Sequence, residues 1–236
     1  MYHQIDDAPR KGASFRSLYV APGAFARQMG LLRFLGYRGL SMTALMPYLT
    51  GAKRGRVVGI TFDDGYLNTL HNALPVLKTH GFSSTCYAVS QRLGQSNDWD
   101  QEVGMAFAPL MSAAQLREWV AGGQEVGAHT RHHLYLPQLT DAECNHEITA
   151  CQTELQEAIG SPVRHFCYPF GGYCYRHADM VEQAGYATAT TTTRARCQVG
   201  DDLWQLPRVT VVRSTMLALF WIKLATTYED RHTPHG

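Results

Sequence analysis

This chain of 236 residues has no surplus of charge: 21 Lys and Arg face 20 Asp and Glu, a formal net charge of +1. No long-range field draws it to nucleic acid or an anionic membrane, and a nucleic-acid partner is not expected. It has no Cys-x-x-Cys pair. The six cysteines, Cys86, Cys144, Cys151, Cys167, Cys174 and Cys197, are scattered, which excludes a zinc ribbon or a thioredoxin-type motif. Cys144 and Cys151 stand seven apart on an expected helix and read as small apolar residues of one face. Reduced thiols in a chain this long lead us to expect a cytoplasmic protein. The N-terminus lacks a basic region followed by an apolar run, so it does not read as a signal peptide. No apolar run is long enough to span a bilayer, so no transmembrane segment is expected. No Gly-x-Gly-x-x-Gly follows a first strand, which argues against an open dinucleotide-binding sheet. There is no repeat, low-complexity tract or linker, and residues 1–236 read as one domain.

What is present is a full complement of core. Hydrophobic residues make up 45% and charged residues 17%, which argues against a disordered chain. Strands are expected at 2–5, 57–62, 84–89, 124–128, 164–168, 186–191 and 205–211. Helices are expected at 22–35, 42–49, 68–80 with a bend at Pro75, 112–120, 140–159, 175–184 and 214–227. Ser41 and Ser112 suit N-caps, and Thr140 with Glu143 reads as a capping box. The apolar stripe of the last helix, Leu217, Phe220, Trp221 and Leu224, is expected to pack on the body of the protein rather than on a partner or membrane. Residues 91–110 lack a period and read as a functional loop or lid. Alternation of strand and helix implies a mostly parallel sheet with helices outside, an α/β distorted or incomplete (β/α)7 barrel whose chemistry sits where strands end.

Three groups of residues carry chemistry. Asp63 and Asp64 end the apolar run at 57–62, with Gly65 allowing a sharp turn. Turn chemistry alone would make them a solvated corner. Two carboxylates this close resist joint ionisation in a dry site unless a cation lies nearby. His129 and His133 follow the 124–128 strand. On a helical turn, residues four apart share a face, so both imidazoles could reach one metal with Asp64. His132 is the competing ligand, turned by about 100° on such a helix. Three protein ligands leave room for water and substrate, as in catalytic sites. In the third group, Arg164 offers a forked donor. Tyr168, Phe170 and Tyr173 suit the apolar face of a sugar ring, or ordinary core packing.

Thr61-Phe62-Asp63-Asp64-Gly65, His-Thr-x-x-His at 129–133 and Arg-x-x-x-x-Pro at 164–169, in this order, resemble the first three motifs of the polysaccharide deacetylase family (NodB-like, carbohydrate esterase 4). The resemblance runs from Tyr2 to about Val212. It implies a distorted (β/α)7 barrel and metal-dependent removal of acetyl groups from an N-acetylated saccharide or glycolipid. By position, Asp63 matches the family's general base. Asp64, His129 and His133 match its metal ligands, while Arg164 and Pro169 match the groove wall. Two His and one Asp suit zinc, with cobalt, nickel or manganese as alternatives. A backbone N–H, that of Tyr168 or a neighbour, is expected to face the oxyanion.

The chain departs from the family at its later motifs. No Asp stands near 190–193, and Leu206-Pro207-Arg208 replaces Leu-x-His. Arg208 is a poor proton donor. It is left to bind a substrate anion or to brace Asp63. His3 is the candidate acid, ahead of His71 and His165. Its Tyr-His context resembles the branch acting on poly-N-acetylglucosamine. Two other readings stay open: an amidohydrolase of small non-sugar amides, and a carbohydrate-binding protein with weak catalysis.

Overall fold

A computed structural model describes residues 1–100 and 104–230. Elements follow in the order α1 (Pro22–Phe34), β1 (Arg38–Leu40), α2 (Met42–Leu49), β2 (Val57–Gly59), β3 (Thr61–Phe62), α3 (Leu74–His80), β4 (Thr85–Ala88), α4 (Ala113–Ala121), β5 (Glu125–Ala128), α5 (Asp141–Ile159), β6 (His165–Cys167), α6 (Tyr175–Gln183), β7 (Thr188–Thr190) and α7 (Leu217–Ala225). Strands β3 to β7 form one parallel sheet in sequence order, and β1 pairs with β2 in a second, two-stranded sheet. The strand faces turned to the helices carry Phe62, Cys86, Ala88, Val126, Ala128, Phe166 and Ala189, and the opposite faces carry Thr61, Thr85, Tyr87, Cys167 and Thr190, all buried. Leu116 and Trp119 of α4, Ile148 and Leu155 of α5 and Val181 of α6 complete that core from outside. These are strands buried on both faces, which explains their near-continuous apolar sequences.

The sheet curls toward closure through single bridges. Tyr2 bridges Phe62, Leu206 bridges Thr190, and the Val211 N–H donates to the Met1 carbonyl at 3.1 Å. The architecture is therefore a distorted, incomplete α/β barrel. The strands expected at 2–5 and 205–211 are corrected to these isolated contacts. Tyr2 pairs toward β3 while Gln4 pairs toward Tyr19, so consecutive residues serve different partners. Pro207 has no N–H to continue a ladder.

The capping pattern is as expected. The Ser112 and Thr140 hydroxyls accept from the N–H groups of Gln115 and Glu143, whose side chains return to the cap backbone. The bend at Pro75 is a change of helix type, a π-helical turn at Thr69–Ala73 running into α3. The 91–110 loop contains short helical turns at Ser90–Arg92 and Asp98–Asp100, and residues 101–103 of it lie outside the described residues. Helix α7 meets the expectation in part: Phe220 and Leu224 pack against the core. It buries Phe220 and Lys223 but leaves Met216, just before it, and Leu217, Trp221 and Ile222 exposed. None of the described helices is long and apolar enough to cross a membrane.

Candidate active site

The C-terminal tips of β3 and β5 bring the first two residue groups together. The Tyr2 carbonyl accepts from the Asp63 N–H at 3.0 Å, which sets Asp63 beside His3. Asp64 then turns the chain with φ 74° and Gly65 with φ 80°. His129 leaves β5 directly. The helical turn invoked for His129 and His133 does not form, because Thr130 and His133 take left-handed φ values of 60° and 61°. The two imidazoles still converge, through a kinked loop. Of five non-glycine residues with positive φ among those described, four (Asp64, Thr130, His133 and Phe170) surround this site. Each such conformation costs about 1–3 kcal/mol and persists only where neighbours enforce it.

The enforcing neighbours are visible. Glu147, buried on α5, accepts from the Arg131 and His132 N–H groups at 2.8 and 2.9 Å and lies 2.6 Å from His132 Nδ1. His132, the competing ligand, is thereby turned away from Asp64. The Thr130 hydroxyl accepts from the His133 N–H at 3.0 Å. Trp99 stacks on the His133 ring at 4.3 Å, and Phe170 meets it edge-on at 4.6 Å. Sequence reasoning missed Glu147 and Trp99. Glu147 had a signal, since it stands beside Ile148 in the apolar stripe of Cys144, Ile148 and Cys151.

His129 Nε2 and His133 Nε2 each lie 3.3 Å from Asp64 Oδ1. The ligand atoms of these three buried residues all lie within 4.8 Å of one another. His129 Nδ1–H donates to the Cys167 carbonyl at 2.7 Å, which turns Nε2 toward Asp64: without a cation Nε2–H donates to the carboxylate, and loss of that proton would free its lone pair as a ligand. His133 Nδ1 is buried without a partner. Burial alone would raise Asp64, but hydrogen bonds from His129 and His133 hold it well below the usual range. Burial likewise opposes protonation of His129, while the Cys167 sulfur and Asp64 push it well above its usual value. Burial holds His133, by contrast, below its usual value, so a neutral imidazole stands beside the carboxylate, and the donor set of one carboxylate and two imidazoles fits a divalent cation.

Asp63 has different company. Arg208 grips it with both arms of its guanidinium, at 2.7 and 2.8 Å, while its Nε–H donates to the Thr191 carbonyl. Cys167 Sγ lies 3.2 Å from Arg208 and 3.7 Å from Asp63 Oδ2. His3 Nε2 stands 3.9 Å from the same oxygen. Burial would raise the Asp63 carboxyl, but Arg208, then His3, outweigh it and hold the group below its ordinary value.

Several expectations need correction. Arg208 is not a substrate ligand: it is buried and committed to Asp63. Arg164 is exposed and precedes β6, so it lies at the opposite end of the strand from Asp63. The Tyr168 N–H donates to Thr190 and cannot serve an oxyanion. Its ring is core, stacked on Tyr173 at 4.7 Å, with its hydroxyl donating to the Trp204 carbonyl. Pro169 is buried at the start of a short turn, Pro169–Gly171, whose Phe170 is the exposed aromatic. Among the lesser acid candidates, His71 is exposed on the 69–73 turn. His165 is buried at the base of the sheet, against Glu125 and Thr188.

The chain is similar to several known proteins. YxkH of Bacillus subtilis, provisionally named a polysaccharide deacetylase, is 27% identical over 89% of this chain and 70% of its own length. BC0361, a polysaccharide deacetylase from Bacillus cereus with a crystal structure, is 27% identical, with a TM-score of 0.79 over 95% of this chain and 67% of that one. PplD, a Streptococcus pyogenes deacetylase solved with acetate, has a TM-score of 0.82 over 95% and 96% of the two chains. It is only 21% identical, a likeness of fold alone. The family model for polysaccharide deacetylase matches residues 50–189, well over half of the chain and spanning Asp63, Asp64, His129 and His133, and the chain belongs to that family.

Proposed function

We propose that this protein is a metal-dependent carbohydrate N-deacetylase, acting on a saccharide or a sugar-containing intermediate such as a glycolipid. One observation carries the reading: two imidazole nitrogens aim at one Asp64 oxygen, next to a second carboxylate kept ionised by an arginine fork. Asp64, His129 and His133 would hold a divalent cation, with zinc the best match for two imidazoles and a carboxylate. When bound, such a cation polarises an amide carbonyl and lowers the pKa of water from about 15.7 toward roughly 7.

The chain's own groups supply the rest. Asp63 Oδ2 accepts the proton of the attacking water. Arg208 keeps that carboxylate fixed and deprotonated. His3, facing the same oxygen, passes a proton to the departing amine; such pairs shorten when substrate binds. With Tyr168 engaged and Pro169 lacking an N–H, the Phe170 N–H is the donor left for the oxyanion, and the exposed Phe170 ring suits a sugar face. We place the protein near the branch that has an N-terminal Tyr-His and no Leu-x-His, as one catalytic unit, and infer a cytoplasmic location from its free cysteines.

The Arg208 fork also favours a second reading, a carbohydrate-binding protein with weak catalysis, because a carboxylate so neutralised is a poor base. Acetate release from N-acetylglucosamine oligomers by the metal-loaded protein separates the two. Asp63→Asn is expected to lower that rate by about 10²–10⁴-fold with metal content unchanged. Metal lost from that variant would mean the two aspartates have exchanged roles. No acetate release from the wild type with any of the four cations would leave the binding reading.

A further inference from the structure

The near-zero net charge conceals a strong local asymmetry. Between Asp7 and Asp63 the chain carries nine Lys and Arg and no carboxylate. This stretch builds α1, β1, α2 and β2, and α7 packs against α1. Among these elements lies a cavity of about 550 Å³, within the range of about 300–1,000 Å³ typical of small-molecule sites. Its walls are largely apolar, with Met29 and Leu32 of α1, Leu45 and Leu49 of α2 and Phe220 and Leu224 of α7, while Thr61, Thr190 and Arg208 close its inner end beneath Asp63. Lys53 and Arg54, both exposed and in none of the ion pairs among the described residues, line it where β2 begins. The carboxylates near the facing wall are engaged. Asp230 pairs with Arg196, Asp201 accepts from the Gln198 N–H, and Asp202 accepts from Trp204 and Gln205. The two helices also expose apolar side chains: Met216, Leu217, Trp221 and Ile222 at α7, and Phe34 of α1, 85% exposed.

We propose that this cavity receives the hydrocarbon chain of a phosphate-headed lipid, with the head group on Lys53 and Arg54, so that the protein docks on an anionic bilayer. An apolar slot with cations at its rim complements such an amphiphile at both ends. Peripheral attachment combines apolar side chains at the surface with a basic patch, and this chain exposes both. The exposed Trp221, next in the chain to the cavity-lining Phe220, suits the bilayer interface. The mouth and the catalytic carboxylates lie at opposite ends of one stretch of chain. Residues 57–63 rise about 3.3 Å each, so about 20 Å separates the two ends, and docking by the mouth turns Asp63 away from the membrane.

The test does not use deacetylation, so its outcome is independent of the proposed function. Vesicles of phosphatidylcholine alone, or of equal parts phosphatidylcholine and phosphatidylglycerol, are sedimented with the full chain. Lysophosphatidylglycerol below its micellar concentration is titrated as a single-chain probe. The wild type is expected to bind the anionic vesicles selectively and the probe one to one. The double variant Lys53→Glu/Arg54→Glu, on an exposed loop, should lose about 30-fold or more in vesicle affinity. Leu49→Trp, its fold checked by melting, should fill the slot and abolish probe binding, while Lys78→Glu on α3 should change neither. Equal binding to neutral vesicles, unchanged binding by the Lys53/Arg54 variant, or inorganic phosphate matching the probe would overturn the proposal.

Discussion

Two demands meet on Asp63. Arg208 holds it ionised, and the proposed chemistry asks it to take a proton. A carboxyl depressed in the fold stabilises the protein fully above its ordinary value of 3.8 and loses that contribution as pH falls through its folded value. Arg208→Met removes the counter-charge and leaves a buried carboxylate alone, a loss of about 3–5 kcal/mol in urea unfolding. Its sign also reverses: the lone Asp63 now gains proton affinity, so the acid limb of kcat/KM moves to higher pH. Adding Asp63→Asn to Arg208→Met should recover much of the lost stability, and a double variant no more stable than the single one would show that the fork is not the cause. His3 is tested apart from this pair. His3→Ala should lower kcat by about 100-fold with KM little changed, and an unaltered kcat would remove it from the reaction.

At the scale of elements, much of the site was legible because strands announce their ends. Asp63 and Asp64 follow an apolar β-branched and aromatic run, His129 follows the short 124–128 strand bounded by Gly122-Gly123, and the parallel order of these strands places their tips together. The path from His129 to His133 was not legible. A spacing of four suggests a helix, but left-handed Thr130 and His133 are held by Glu147 and Trp99, contacts remote in sequence. Nor could spacing tell that Arg164 lies at the wrong end of its strand while Arg208, in a segment too irregular to form one, reaches Asp63. Helix α7 was legible in part, since Phe220 and Leu224 pack on the body as expected, but periodicity could not tell that Leu217 and Trp221 stay exposed. Strand β5 offers a direct test of how tightly an element positions the site. A Cβ on Gly127 would stand 2.4 Å from the Tyr87 ring and 2.9 Å from the His165 carbonyl. Gly127→Ala must shift β5 against rigid neighbours, at about 1–3 kcal/mol in urea unfolding. Because His129 starts two residues on, metal affinity should fall as well, and a variant that keeps both stability and affinity would show that β5 has room to move.

At the scale of the whole molecule, the candidate metal ligands tie together parts of the chain far apart in sequence. Asp64 ends β3, His129 ends β5, and His133 sits on a loop pinned to α5 by Glu147. An unfolded chain cannot assemble this set, so a cation held there binds the native state almost alone and stabilises it by mass action. At a free concentration about 100 times its Kd, the gain is about 2.7 kcal/mol. For a chain of this size each kcal/mol moves Tm by about 2–4 °C, so a chelator should lower the melting temperature by about 5–10 °C and re-addition of zinc should restore it. Asp64→Asn removes the charged ligand and should melt at one temperature with or without chelator, whereas Asp63→Asn should keep the full metal-dependent increment. The increment should shrink as pH falls, because protons compete with the cation for the imidazoles and the carboxylate. A wild type whose melting ignores both chelator and added cation would leave the Asp64 cluster as an ion pair, with His129 carrying the positive charge.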